Sequence, residues 1–150
     1  MKILEATDTK HAASVCALIQ RMHTESKYAY LKYDPNKVQR LVNAAIHNQD
    51  SVVLVSVNDA DEVVGFLALE QTQYLFNFDS YIVDLGFYVL PTYRTTTVPY
   101  RLMQAGEAWA RLHGNALDLG VSAPEDTVKT AKMYGKLGYR HWGTIMRKDF

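Results

Sequence analysis

The sequence predicts an α/β protein: a mixed sheet with helices packed on it. Three observations predict this class. Apolar residues recur at helical spacing in four separate segments. Runs rich in β-branched and aromatic residues lie between them, the first ones joined by a hairpin signal. The second half then reads strand, helix, strand, helix, strand, an order that adds parallel pairing to an antiparallel start. At 150 residues the chain can bury about 70% of the surface its unfolded form exposes, so residues 1–150 are expected to form one domain without staples.

Each element has a local reason. Lys2 to Ala6 alternates around Ile3 and opens as a strand, after which Thr7 or Asp8 offers an oxygen to cap a helix. That helix carries Val15, Leu18, Ile19 and Met22 on one face. Asp34 caps a second helix and Pro35 suits its first position, where a missing N–H costs nothing. Val38, Leu41, Val42, Ala45 and Ile46 form its apolar stripe. Ser51 to Val57 and Val63 to Glu70 are strands around the turn Asn58-Asp59-Ala60-Asp61, and Tyr81 to Leu90 is a third. Pro91 stops it, Thr92 to Thr97 is a polar loop, and Pro99 starts a helix that buries Leu102, Met103, Gly106, Trp109 and Ala110 before Gly114. Leu117 to Val121 is a short strand. Ser122 and Pro124 open a last helix with Glu125 and Asp126 in its first turn, Gly138 closes it, and Tyr139 to Arg147 returns as a final strand.

Composition excludes several functions. Sixteen basic residues balance sixteen acidic ones without segregating into blocks, which argues against nucleic acid as a partner, since that binding draws on phosphate neutralisation. Cys16, the single cysteine, lies beside an apolar helix face and reads as a packed thiol in a reducing compartment. Glu5 and Asp8 precede any long apolar run and no stretch approaches the ~20 residues that span a bilayer, so no membrane partner and a cytoplasmic location are expected. The five histidines are scattered without metal-ligand spacing, and no metal is expected.

The segment Val89 to Tyr100 carries the chemistry. A strand running through a polar turn into a helix points backbone N–H groups outward, beside the free N–H groups of the helix start, and such a concavity suits phosphate. Thr95, Thr96 and Thr97 add hydroxyls and Arg94 a charge; the alternative is an ordinary polar loop.

Two linked motifs, Val89, Pro91, Tyr93 and Arg94 entering a helix and A-K-M-Y-G-K-L-G-Y at residues 131–139, resemble the GCN5-related N-acetyltransferase family across essentially the whole chain. The resemblance implies a central sheet of about six or seven strands with about four helices, and acetyl-coenzyme A as co-substrate. The coenzyme would be bound through Tyr88, Val89, Arg94, Thr95, Thr96, Thr97, Val98, Pro99 and Tyr100, the loop among them taking its pyrophosphate, and Thr127 stands where members often contact the pantetheine. The sequence departs from the family where Thr97 replaces a glycine and Pro99 a glycine or alanine. Glycine tolerates positive φ and close backbone approach, so the loop must take another backbone or hold its ligand farther off.

The resemblance implies a direct attack of an amine on the thioester. Tyr134 would stand near the sulfur as general acid, since an unperturbed tyrosine near ~10 can protonate a thiolate of ~8.5. Its other reading is packing on a helix face. Asp84 is the leading base and Glu70 the alternative; strand alternation places Asp84, Gly86 and Tyr88 on one face, and Gly86 suggests a bulge. The Val89 N–H would polarise the thioester carbonyl in the gap where this strand splays from its parallel neighbour. The aromatic stretches Tyr28 to Tyr33 and Tyr74 to Phe78 would wall an acceptor pocket, cap the core or make a homodimer contact. The expected activity is acetylation of a primary amine on a small molecule or protein. The alternatives are a non-catalytic binding or inhibitory module with this fold, and a site for a longer acyl-coenzyme A.

Overall fold

The computed structural model describes residues 1–121 and 127–150. They fall into two compact units, Met1–Gly120 and Val121–Phe150. The first unit contains β1 (Lys2–Glu5), α1 (Thr9–Glu25), α2 (Pro35–His47), β2 (Ser51–Val57), β3 (Val63–Gln73), β4 (Ser80–Val89), α3 (Val98–His113) and β5 (Leu117–Asp118). The sheet order is β1-β2-β3-β4-β5. Neighbours are antiparallel through β4, and β5 lies parallel to β4 after the α3 crossover.

The caps form as the residues predict. The Asp8 carboxylate accepts from the His11 N–H at 2.7 Å, and that of Asp34 from the Lys37 N–H at 3.0 Å. In the β2–β3 turn the Asn58 side-chain oxygen accepts from Ala60 and Glu62, while Asp61 takes a left-handed φ of 61° that short acidic side chains tolerate.

Alternation along the central strands splits the core between two faces. Val53, Val55, Phe66, Ala68 and Tyr88 pack with Val15, Leu18 and Val42 of α1 and α2. Leu54, Leu67, Leu69, Ile82 and Val89 pack with Val98 and Leu102 of α3. Both faces are covered, which is why these strands read as continuous apolar runs.

The second unit contains α4 (Thr127–Lys136). Its predicted start, Ser122 to Asp126, lies outside the described residues. Gly138, at φ +90°, closes it: the Tyr139 N–H donates to the Tyr134 carbonyl at 3.0 Å and the Gly138 N–H to the Gly135 carbonyl at 3.1 Å, a left-handed glycine cap.

The expected final strand is absent, so the described residues hold five strands instead of six or seven. In residues 139–150 the Arg140 guanidinium covers the Trp142 ring at 4.8 Å and Arg147 pairs with Asp149 at 2.7 Å. Gly143 interrupts the stretch, and glycine weakens a strand interior. Among the described residues no helix is long and apolar enough to cross a membrane.

Candidate functional site

The site grows from an irregularity in β4. Ala68 pairs with Gly86 but Leu69 pairs with Asp84, so Leu85 is left over as a bulge, half-exposed. The bulge that Gly86 suggested is present. It also overturns the expected alternation: an extra residue reverses the facing of everything beyond it. Asp84 shares the α3 face with Leu69 and Ile82, whereas Gly86 and Tyr88 share the α1 face with Ala68 and Phe66.

β5 pairs with β4 only at Ile82 and Val83. Residues 84–89 of β4 therefore continue past the end of β5. The Leu90 N–H donates to the Val64 carbonyl at 2.9 Å, which makes Gly65 and Val89 a pair without mutual hydrogen bonds. The N–H of Val89 consequently turns away from β3, toward the side where β5 has ended.

Asp84 stands at the start of this open stretch. Its Oδ1 accepts from the Gly120 N–H at 2.9 Å. Burial pushes its carboxyl up, the Gly120 hydrogen bond opposes the shift, and the charge of Asp118 adds to it. Burial also raises Asp118. Glu70, the alternative base, is placed by its pairing with Val83 on the opposite face of the sheet from Asp84.

The loop after β4 begins with a 3-10 turn at Pro91–Tyr93 and reaches α3 through Arg94 to Thr97. Thr97 has φ −75° and ψ −5°, an ordinary right-handed conformation. The loop thus has a backbone that needs no glycine there, which is how it accommodates a β-branched residue. The N–H groups of Arg94 and Thr96 donate to the carbonyls of Pro91 and Tyr93, and Val98 donates to Thr96 Oγ1 at 3.2 Å. Pro99 has none to give. Among the described residues, the N–H groups of Thr95, Thr97 and Tyr100 have no acceptor, and they lie around the start of a helix 16 residues long. The Thr96 hydroxyl is turned inward, donating to the Tyr93 carbonyl at 2.7 Å. The Tyr100 hydroxyl accepts from Gln104.

Arg94 folds back on the sheet. Its Nε donates to the Val89 carbonyl at 2.8 Å, another guanidinium N–H to Glu25 Oε2 at 2.5 Å, and its plane covers the Tyr88 ring at 5.2 Å. The Tyr88 hydroxyl donates to Glu25 Oε1 at 2.6 Å. Burial and the Glu25 carboxylate push that phenol up to about 12, so it holds its proton. Burial alone would raise Glu25, but hydrogen bonds from Arg94 and Tyr88 outweigh it and hold the carboxyl low. Glu25, the last residue of α1, is a site residue that sequence reasoning missed, as are Asp118 and Gly120 beside Asp84.

The second unit holds Thr127, exposed, at the first described position of α4, and Tyr134, buried, with its ring 5.6 Å from that of Tyr139. Cys16 packs against the α1–α2 core and burial pushes its thiol up, as expected of a packed cysteine. Among the described residues no group of three or more His, Cys, Asp or Glu could hold a metal ion.

A strand that outruns its parallel neighbour, followed by a donor-bearing turn into a helix, defines a fold that can admit an extended, phosphate-bearing ligand. The sequence matches the model of the acetyltransferase (GNAT) family over residues 14–139, and the chain belongs to that family. A tetramutant of the BH1408 protein from Bacillus halodurans is similar in fold, with TM-score 0.79, 19% identity and 100% of each chain covered. So is the aminoglycoside antibiotic 6'-N-acetyltransferase AAC(6')-IG of Acinetobacter haemolyticus, with TM-score 0.72, 17% identity, and 100% of this chain and 98% of that one covered. A protein of Bacillus halodurans C-125 described as a transcriptional regulator reaches TM-score 0.78 at 16% identity over 99% of both chains. A search of curated proteins finds no sequence match.

Proposed function

We propose that the protein is an acetyl-coenzyme A dependent N-acetyltransferase acting on a primary amine of a small molecule or protein. The observation that carries this reading is the open edge of β4, with the Val89 N–H turned into it, beside the unengaged donors of Thr95, Thr97 and Tyr100. Those N–H groups and the Arg94 guanidinium would hold the coenzyme's phosphates, where the helix start favours negative charge. The coenzyme supplies the acetyl thioester. The Val89 N–H is set to polarise its carbonyl, and Asp84, raised by burial, to take the proton that the amine must lose. Tyr134 is the proposed acid on the strength of the family resemblance, as Thr127 is the proposed pantetheine contact.

Isothermal titration with acetyl-coenzyme A and with coenzyme A tests the binding step. Micromolar binding of both, weakened in Arg94→Ala, is expected; no binding up to millimolar ligand would remove the proposal. A second reading, a non-catalytic binding module, is favoured by one observation: Arg94 is already paired with Glu25. Acetylation of any amine by the purified protein, lost when the coenzyme site is blocked, eliminates that reading.

A further inference from the structure

The point where β5 leaves β4 is marked by one hydrogen bond that changes its acceptor. Parallel strands bond at even spacing along the pair. The Ile82 N–H donates to the Ala116 carbonyl at 2.9 Å, so the same ladder carried on would send the Gly120 N–H to the main-chain carbonyl of Asp84. It goes instead to Oδ1 of the Asp84 side chain, at 2.9 Å. A half-buried carboxylate thus stands between the strands where they part. Gly120 itself is exposed, and positive φ belongs to Gly138 among the described glycines, so the backbone at 120 does not call for a glycine. The missing side chain keeps a space clear. A Cβ at Gly120 would have two neighbours within 4 Å among the described residues beyond those adjacent in the chain, Asp84 Oδ1 at 3.5 Å and Oδ2 at 3.8 Å.

We propose that Gly120 is a positioning and specificity-determining residue for acetyl transfer: its N–H holds Oδ1 of Asp84, and its bare Cα leaves the space through which the acceptor nitrogen reaches Oδ2. The inference rests on the reading of Asp84 as the base. In that step an Oδ2 lone pair takes one proton from the acceptor's ammonium group. An O–H bond forms, an N–H bond breaks, and its electron pair stays on nitrogen to attack the thioester carbonyl; the proton then passes to water. A nitrogen at a hydrogen-bond distance of about 2.9 Å from Oδ2, and the carbon that bears it, need the volume that a side chain at 120 would fill. One bond to Oδ1 fixes the angle of the carboxylate and leaves it charged, as a base aligned with its substrate requires. Burial and the charge of Asp118 on β5 oppose ionisation of Asp84, while the N–H groups of Gly120 and of Asp84 itself favour it. Glu70 of β3 lies on the other face of the sheet. On α3, Arg101 donates to the Met1 carbonyl, Arg111 lies 3.8 Å from Glu107, and His113 stacks on Trp109.

Gly120→Ala and Gly120→Val test the inference, because both keep the N–H and fill the space in two steps. Acetylation of n-butylamine, spermidine and a lysine-containing peptide is followed against pH in the parent and both variants. Isothermal titration gives the coenzyme affinity, and NMR of its side-chain carbon gives the titration midpoint of Asp84. Both variants are expected to melt and to bind acetyl-coenzyme A like the parent. In Gly120→Ala the acid limb of kcat/KM and the Asp84 midpoint should rise together, since a methyl group excludes water from the carboxylate. In Gly120→Val kcat/KM should fall about 100-fold, the cost of misplacing a reacting group by about 1 Å. A glycine needed only for folding would lower the melting temperature and leave limb and midpoint in place, which overturns the inference. An active parent whose Gly120→Val variant keeps its rate also overturns it, and the reading of Asp84 as base stands if Asp84→Asn still abolishes the limb. A parent that acetylates none of the amines, or an Asp84→Asn variant that keeps the limb, removes that reading and the inference with it.

Discussion

Replacing Glu25 by glutamine removes one negative charge while keeping an oxygen for the Tyr88 hydroxyl. In the structure that charge sits 2.5 Å from the Arg94 guanidinium, with the two side chains 40% and 42% exposed. Arg94 is the loop's one cationic side chain, so any phosphate it receives must share it with a carboxylate about one guanidinium width away. Two unit charges ~7 Å apart repel by about 0.6 kcal/mol in water, and a pyrophosphate carries two, so neutralising Glu25 should favour the coenzyme by about 1 kcal/mol, or roughly 5-fold. The effect is electrostatic at a half-exposed site, so salt should erase much of it: the screening length falls from ~10 Å at 0.1 M to ~3 Å at 1 M. Titration of acetyl-coenzyme A into parent and Glu25→Gln protein at low and high salt reads both numbers. Unchanged or weaker binding in a variant with the parent's melting temperature would refute the reasoning. Glu25 would then be orienting Arg94 for its ligand and not restraining it. The same pair sets an acid dependence. Because the folded carboxyl is held low, its stabilisation is fully present above the unfolded value of ~4.3 and is lost as pH falls through the folded value. Glu25→Gln should flatten that part of the stability profile.

Three further outcomes follow from the same geometry. Asp84 must lose its proton to act as a base, and burial raises its carboxyl, so the acid limb of kcat/KM should lie above the ordinary carboxylate range. Asp84→Asn should abolish the limb and cost about 10²- to 10⁴-fold in kcat; a limb that survives assigns the base elsewhere. A Cβ at Gly106 would stand 2.6 Å from Leu67 Cδ2 and 3.2 Å from Leu69 Cδ1, both fully buried. Gly106→Ala should therefore cost about 1–3 kcal/mol of overpacking, less about 1 kcal/mol of regained helix propensity. The net, about 1 kcal/mol, should lower the melting temperature by about 2–4 °C, and a rise would show that α3 can back away from β3. Tyr134→Phe should lower kcat while leaving the far-ultraviolet spectrum and coenzyme affinity unchanged; normal turnover removes the acid role.

What the sequence made legible was what it encodes locally. Asp8 and Asp34 with Pro35 announce helix starts because a cap needs only the three residues that follow it. Asn58 announces a turn for the same reason. Gly86 even marked the bulge. The side on which Asp84 faces could not be read that way, because it depends on which residue of β3 lies opposite, and one unpaired Leu85 reverses the alternation. Glu25 was invisible for a longer-range version of this reason: its partners Tyr88 and Arg94 lie 63 and 69 residues along the chain, on other elements. The threonine loop shows the converse. Thr97 in a glycine's place warned of a different backbone, and the chain took one, a right-handed turn whose donors are fewer because Thr96 Oγ1 accepts from the Val98 N–H and Pro99 has no N–H. The bulge then has a chemical meaning. By turning Asp84 to the α3 face while Tyr88 keeps to the α1 face, it separates the carboxylate proposed to take a proton from the one that holds Arg94. The two can carry different protonation behaviour, one raised and one lowered, within a single strand end.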